Sequence, residues 1–155
     1  MNSHSTKSKV EVFFFCFVLL ALSQTPLFTL VHASADREWT FIVYLAADND
    51  LEPAGIKDLN EMEKVGSSDS LAIIVQVDRI PGYDSSNGNW TETRRYYVTN
   101  DNDTENINSD LLENLGELNM GENNTLSSFV IWAMQNYTAQ HYALILWDHG
   151  GSSAT

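Results

Sequence analysis

Apolar and polar positions alternate along this chain in blocks of strand and helix length. Trp39 to Ala47 (WTFIVYLAA) is a nearly continuous apolar run that ends in Asp48-Asn49-Asp50. Continuous rather than alternating hydrophobicity predicts a strand buried on both faces. Helix signals follow at once: Asp50 as a cap, Pro53 in the first turn, then Ile56, Leu59, Met62 and Val65 until Gly66. Leu71 to Val77 (LAIIVQV) predicts a second buried strand ending at Asp78-Arg79. Strand, helix, strand is a βαβ unit, so these two strands are expected to run parallel.

Residues 81–89 (PGYDSSNGN) are turn-forming, and Trp90 to Thr99 is β-prone but polar, which suits a sheet edge or a hairpin. Arg94-Arg95 within it reads as a charge pair on an edge strand. An acidic, Asn-rich loop covers Asn100 to Asp110, and Leu111 to Met120 holds a short apolar segment broken by Gly121. Leu126, Phe129, Val130, Ala133 and Tyr137 share one face of a predicted helix over Thr125–Tyr137. Tyr142 to Trp147 (YALILW) predicts a further buried strand, followed by Asp148-His149-Gly150-Gly151. The class is α/β, with a mainly parallel, helix-covered sheet.

The N-terminus has a different pattern. Lys7 and Lys9 precede Val12 to Leu22, an unbroken apolar run, and Val31-His32-Ala33 and Ala33-Ser34-Ala35 are small-x-small sites. Together these read as a secretory signal over residues 1–35. Eleven residues span only about 16 Å against roughly 30 Å of hydrocarbon, so a retained anchor is the lesser alternative. Cys16, the single cysteine, lies inside this run. Four Asn-x-Ser/Thr sequons, at Asn89, Asn102, Asn123 and Asn136, are compatible with export.

Charge narrows the classes of partner. The whole chain carries 21 acidic and 8 basic side chains, and residues 1–35 hold only Lys7, Lys9 and Glu11, so the remainder carries 20 against 6. A surface of net −14 is a poor match for phosphate backbones or anionic lipid, and nucleic acid is excluded as a partner. No membrane is expected either, unless the N-terminal segment is retained.

Candidate chemistry gathers at strand ends. In open α/β sheets ligands bind beyond the carboxyl ends of parallel strands, and Asp48-Asn49-Asp50, Asp78-Arg79 and Asp148-His149-Gly150 should share that edge. His149 alone among the four histidines sits there, which makes it a candidate general base, and the Gly150 N–H a candidate oxyanion donor. A turn with a satisfied imidazole explains Asp148-His149 equally well. Asp48 suits either a cap or a cationic pocket, whereas capping is the default for Asp50. Asp101-x-Asp103-x-Glu105 echoes a calcium loop, but Asn106 and Leu112 stand where Gly and Glu are needed, so a solvated acidic loop is expected. Ser152 and Ser153 lack a nucleophile-elbow context.

Five segments, Trp39–Glu52, Val75–Arg79, Arg94–Tyr97, Leu115–Gly121 and Leu144–Gly151, in this order, resemble the clostripain family of cysteine peptidases. The resemblance implies a caspase-like three-layer α/β/α sandwich. It implies that His149 is half of a His/Cys dyad, that Gly150 lies by the oxyanion hole, and that substrates are peptides or proteins cleaved after Arg or Lys. Acidic strand tips, Asp48 and Asp148 among them, would help form a pocket for that basic side chain. The resemblance further implies export and activation by proteolysis, with a secreted or cell-surface location. No cofactor is demanded, although calcium is allowed because some members depend on it.

Two departures matter. After His-Gly-Gly the family continues with another glycine and an aromatic, whereas Ser152-Ser153-Ala154-Thr155 stands here. The nucleophilic cysteine is also expected a few dozen residues later, at the end of a further apolar strand. Residues 36–155 are therefore read as the N-terminal part of a catalytic domain, inactive as given. The alternative reading is a non-catalytic peptide-binding or surface interaction module with the same fold.

Overall fold

Trp39–Ala47 forms β1, and every position from Ile42 to Leu45 on it is buried. The structure is a computed structural model describing residues 37–150. The predicted signal, its cleavage sites and Cys16 lie outside the described residues. After β1 come α1 (Glu52–Glu63), β2 (Leu71–Arg79), β3 (Arg94–Tyr97), β4 (Asp110–Asn114), α2 (Asn123–Asn136) and β5 (His141–Trp147). They build one sheet in the order β4-β3-β2-β1-β5.

β1 pairs in parallel with both β2 and β5, as the βαβ pattern requires. β3 and β4 are antiparallel additions, so the sheet is mixed, with the three parallel strands β2, β1 and β5 at one side. One helix covers each face. Ile56 and Leu59 of α1 pack on Val43, Leu45, Val75 and Val77, while Phe129 and Ala133 of α2 pack on Ile42, Tyr44 and Ile74. The alternation of strand side chains between faces thus sorts β1 and β2 residues into two cores, giving an α/β/α sandwich.

Gly66 stops the chain beyond α1 for two reasons. Its φ is +66°, and a Cβ there would approach the Asn100 backbone nitrogen to 2.4 Å, so no larger residue fits.

Three sequence expectations change. Arg94-Arg95 is not on an edge, because β3 lies between β2 and β4. The two arginines point to opposite faces: Arg95 is buried, donates to Gln76 and Glu113, and lies over the Trp132 ring, whereas Arg94 lies over Trp90. β5 is not fully buried either. It occupies the sheet edge, and Leu144 and Leu146 stay 47% and 63% exposed. Lastly, Asp50 does not cap α1. The cap residue is Leu51 with no side-chain bond, and Asn49 Oδ1 accepts from the Leu51 N–H at 2.8 Å.

Candidate active site

Parallel pairing of β2, β1 and β5 brings their carboxyl ends to one edge of the sheet. The register sets Leu45 beside Trp147 and Ala46 beside Asp78, so the turns after β1 and β5 emerge next to each other. Trp147 is fixed there by its indole N–H, which donates to Asp58 of α1 at 2.8 Å.

Two pairs of strand-tip side chains interlock. Asn49 Nδ2 donates to the Ala46 carbonyl at 3.1 Å and to Asp148 Oδ1 at 3.0 Å, and the same Asp148 oxygen accepts the His149 N–H at 2.7 Å. His149 Nε2 meets Asp50 Oδ1 at 2.7 Å, with both side chains more than half exposed. Asp50 is therefore a partner for imidazole instead of a helix cap. With Nε2 held by a carboxylate, the ring is oriented and Nδ1 is the nitrogen left to exchange a proton with a reacting group. Gly150 follows at φ +63°, with open space where a Cβ would be, so a substrate backbone can approach closely.

Beside this turn lies a cleft of about 370 Å³ lined by Asp48, Asp78, Glu117, Asp148 and Met120. A second cleft of about 360 Å³ shares Asp148 and runs past His149 and Gly150 along Leu146 and Tyr44. The predicted pocket residues Asp48 and Asp148 thus both line the acidic cleft, and Asp148 joins it to the histidine.

The sequence placed Asp78 at this edge without giving it a role, and Glu117 was not legible as a site residue. Asp78 belongs to a strand-tip pair that splits: Arg79 turns to the other face and forms a buried ion pair with Glu52 at 2.6 Å. Asp78 is 1% exposed, and its Oδ1 accepts from the Thr93 hydroxyl at 2.8 Å. Its Oδ2 has no partner among the described residues. Burial first, then the negative charges of Glu117 and Asp48, push its carboxyl up to about 6 against the pull of Thr93. Thr93 also accepts the Leu118 N–H at 3.2 Å, which pins the segment carrying Glu117 over the cleft. Nothing local in LENLGELNM marks Glu117, because its role depends on β3–β4 pairing. The Asp101-x-Asp103-x-Glu105 segment stays apart. Asp101 and Asp103 there accept backbone N–H groups of the same loop, as a solvated acidic loop would.

This histidine at the tip of an apolar strand can be compared with known proteins. A sequence model of the Clostripain family, peptidase C11, matches residues 43–154.

The chain belongs to the clostripain family.

Clostripain of Hathewaya histolytica is 32% identical over 129 residues, covering 76% of this chain and 24% of that protein. The chain thus spans about a quarter of the curated relative it matches. A Bacteroides fragilis cysteine protease superposes with a TM-score of 0.60 at 22% identity, over 76% of this chain and 93% of that one. An inactive zymogen C11 protease from Parabacteroides distasonis gives 0.57 at 18% identity, over 75% and 32%. A clostripain from Bacteroides thetaiotaomicron in complex with a peptide inhibitor gives 0.57 at 13% identity, over 77% and 96%. At these identities the solved structures establish the fold, which is that of C11 cysteine proteases.

Proposed function

We propose that this chain is the N-terminal part of a secreted clostripain-like cysteine endopeptidase that cleaves after basic residues, with His149 as its catalytic histidine. The observation that carries the reading is the placement of His149. It sits at the carboxyl tip of the edge strand β5, held by Asp50, with an open glycine after it.

Residues 36–155 contain no cysteine, so the thiol belongs to sequence beyond them. A further apolar strand added beside β5 would cover Leu144 and Leu146 and bring its carboxyl end next to His149. In that arrangement His149 takes the thiol proton, and the thiolate attacks the peptide carbonyl to form a tetrahedral oxyanion near the Gly150 N–H. Collapse of that intermediate expels the amine, which receives the proton from the imidazolium. Water then attacks the acyl-enzyme and restores thiol and histidine. Asp48 and Asp148 receive the substrate's basic side chain in the acidic cleft.

Joining the downstream catalytic segment of a clostripain-family peptidase to this chain is expected to yield thiol-sensitive hydrolysis of Arg and Lys peptide substrates. His149→Ala should abolish it, with a loss of at least about 10³ in kcat/KM. Turnover unchanged in that variant, or thiol-sensitive turnover by the 155-residue chain alone, overturns the assignment. The intact mass of exported protein checks secretion, since cleavage near residues 33–35 removes the signal.

A further inference from the structure

We propose that Asn89, Asn102 and Asn123 are acceptor sites for N-linked oligosaccharide, which makes the exported chain a glycoprotein. The setting rests on the export reading given above, and the sites rest on the fold. Fourteen asparagines and eleven threonines in 155 residues give about one Asn-x-Thr by chance. Four occur, at Asn89, Asn102, Asn123 and Asn136. Serine is the commoner residue, with fifteen copies, yet no Asn-x-Ser occurs. The excess is therefore confined to the threonine form.

The fold provides for these residues differently from others of their type. Nδ2 of asparagine carries two N–H donors and is the atom that a glycan occupies. Nine described asparagines lie outside the sequons, and seven of them, Asn49, Asn60 and Asn100 included, donate Nδ2 to a protein acceptor. Asn89, Asn102 and Asn123 are exposed, and their amides make no hydrogen bond among the described residues. Threonine divides the same way. Outside the sequons, the hydroxyls of Thr40, Thr93 and Thr99 all donate to protein oxygens. Those of Thr91, Thr104 and Thr125, the third residues of the three sequons, bond to nothing among the described residues. Packing thus accounts for the other asparagines and threonines and leaves these pairs unused. Asn136 stands outside the proposal, because its Nδ2 donates to the Trp132 carbonyl at 2.8 Å in the last turn of α2.

Position agrees with modification. Asn89 lies between β2 and β3, Asn102 in the acidic loop between β3 and β4, and Asn123 begins α2. None is inside a strand, so a branched sugar at each projects into solvent without displacing core side chains. The φ of +50° at Asn89 is a reason for asparagine in that turn, but it gives no reason for Thr91. β1, α1 and β5 contain no sequon, which keeps sugar off the strand that carries His149 and its open edge.

The transfer is a substitution at an anomeric carbon. Nδ2 bonds to C1 of a lipid-pyrophosphate-linked oligosaccharide as the bond from C1 to the pyrophosphate oxygen breaks. The leaving lipid pyrophosphate keeps that electron pair, and Nδ2 gives one of its two protons to a base of the membrane transferase. Nothing is oxidised or reduced.

Expression in a secretory host that glycosylates asparagine tests the sites. One arm uses the full 155-residue chain, and a second replaces residues 1–35 with the host's own signal. Mass mapping of secreted and membrane-fraction protein is expected to find glycan at Asn89, Asn102 and Asn123, each released by enzymatic deglycosylation that leaves aspartate behind. Thr91→Ala, Thr104→Ala and Thr125→Ala should each remove one glycan, whereas serine at the same positions should retain it. The melting temperature should change by less than about 3 °C on deglycosylation, as for any surface alteration. An unmodified site among the three in the second arm overturns the proposal, as does a glycosylated form that melts more than about 3 °C below the deglycosylated one. Glycans in the second arm with none in the first support the sites and overturn the export reading alone.

Discussion

Buried acidic side chains on the two faces of the sheet are provided with different numbers of donors. On the α1 side, Glu52 and Glu63 are fully buried; both oxygens of Glu52 have donors, whereas Glu63 Oε2 has none among the described residues. Glu52 pairs with Arg79 at 2.6 Å and accepts the Asp84 N–H at 3.0 Å. Arg79 in turn lies over the Trp90 ring and holds the carbonyls of Asp84 and Ser86, closing the turn after β2. Glu63 Oε1 accepts from the N–H groups of Asn108 and Ser109 and from the Ser109 hydroxyl, between 2.6 and 2.9 Å. At the strand tips on the α2 side, Asp78 has one hydroxyl donor and two neighbouring negative charges. The contrast is one of degree: Glu63 Oε1 gathers three donors and Asp78 Oδ1 one, while the second oxygen of each has no partner among the described residues.

The largest effect expected from breaking this contrast is at the Glu52–Arg79 pair. Glu52→Ala leaves a guanidinium buried and uncompensated, at a cost of about 3–5 kcal/mol in urea denaturation of the 155-residue chain. A cost under about 1 kcal/mol would mean that the pair is not a structural element.

Asp78→Asn should act in the opposite direction. The folded state raises this carboxyl from an ordinary 3.8 to about 6. Folding therefore favours the protonated form, and its stabilising contribution is complete below about pH 4 and lost as pH rises through about 6. In calcium-free buffer the Asn variant should match the parent near pH 4 and exceed it at pH 7 by up to about 3 kcal/mol. A variant less stable than the parent at pH 7 would place Asp78 with the structural set.

Glu63→Ala removes an acceptor from three donors, two of them backbone N–H groups, and is expected to cost about 2–3 kcal/mol. Burial raises the Glu63 carboxyl, which offsets part of the gain from those bonds and keeps the loss below that at Glu52. Hydrogen exchange of the Asn108 and Ser109 amides should accelerate in the same variant, reporting release of the acidic loop.

The smallest effect on stability is expected at Asp50, whose carboxylate is exposed. Asp50→Asn should change stability by less than about 0.5 kcal/mol. It should nonetheless alter the ¹⁵N chemical shifts of the His149 ring, because Nε2 exchanges a charged acceptor for a neutral amide. Unchanged ring shifts would remove Asp50 as the group that orients the histidine.

Much of the architecture was legible in the chain. The apolar run Trp39–Ala47 is β1 residue for residue, and the face Leu126-Phe129-Val130-Ala133-Tyr137 is the buried face of α2. Both follow from burial, which repeats locally with the period of the element. His149 was legible for the same reason, since a polar cluster ending an apolar strand lies at a sheet's carboxyl edge. Arg94-Arg95 was misread because polar side chains on an inner strand resemble those of an edge until their partners are known. The exposure of β5 follows from its place in the strand order, which no pattern within YALILW encodes.

By itself, then, the sequence determined β1, β2, β5 and the two helices, the two apolar faces, family membership and the place of His149 at a strand's carboxyl end. Local periodicity and motif order are sufficient for those. Only the tertiary structure decided that Asp50 serves His149 instead of the helix, that Asp78 parts from Arg79, and that Glu117 closes on Asp48. Those choices depend on strand order and on which side chains converge across long stretches of chain. At that separation the partner of a charge is set by packing, because Coulomb interactions act through space and not along the sequence.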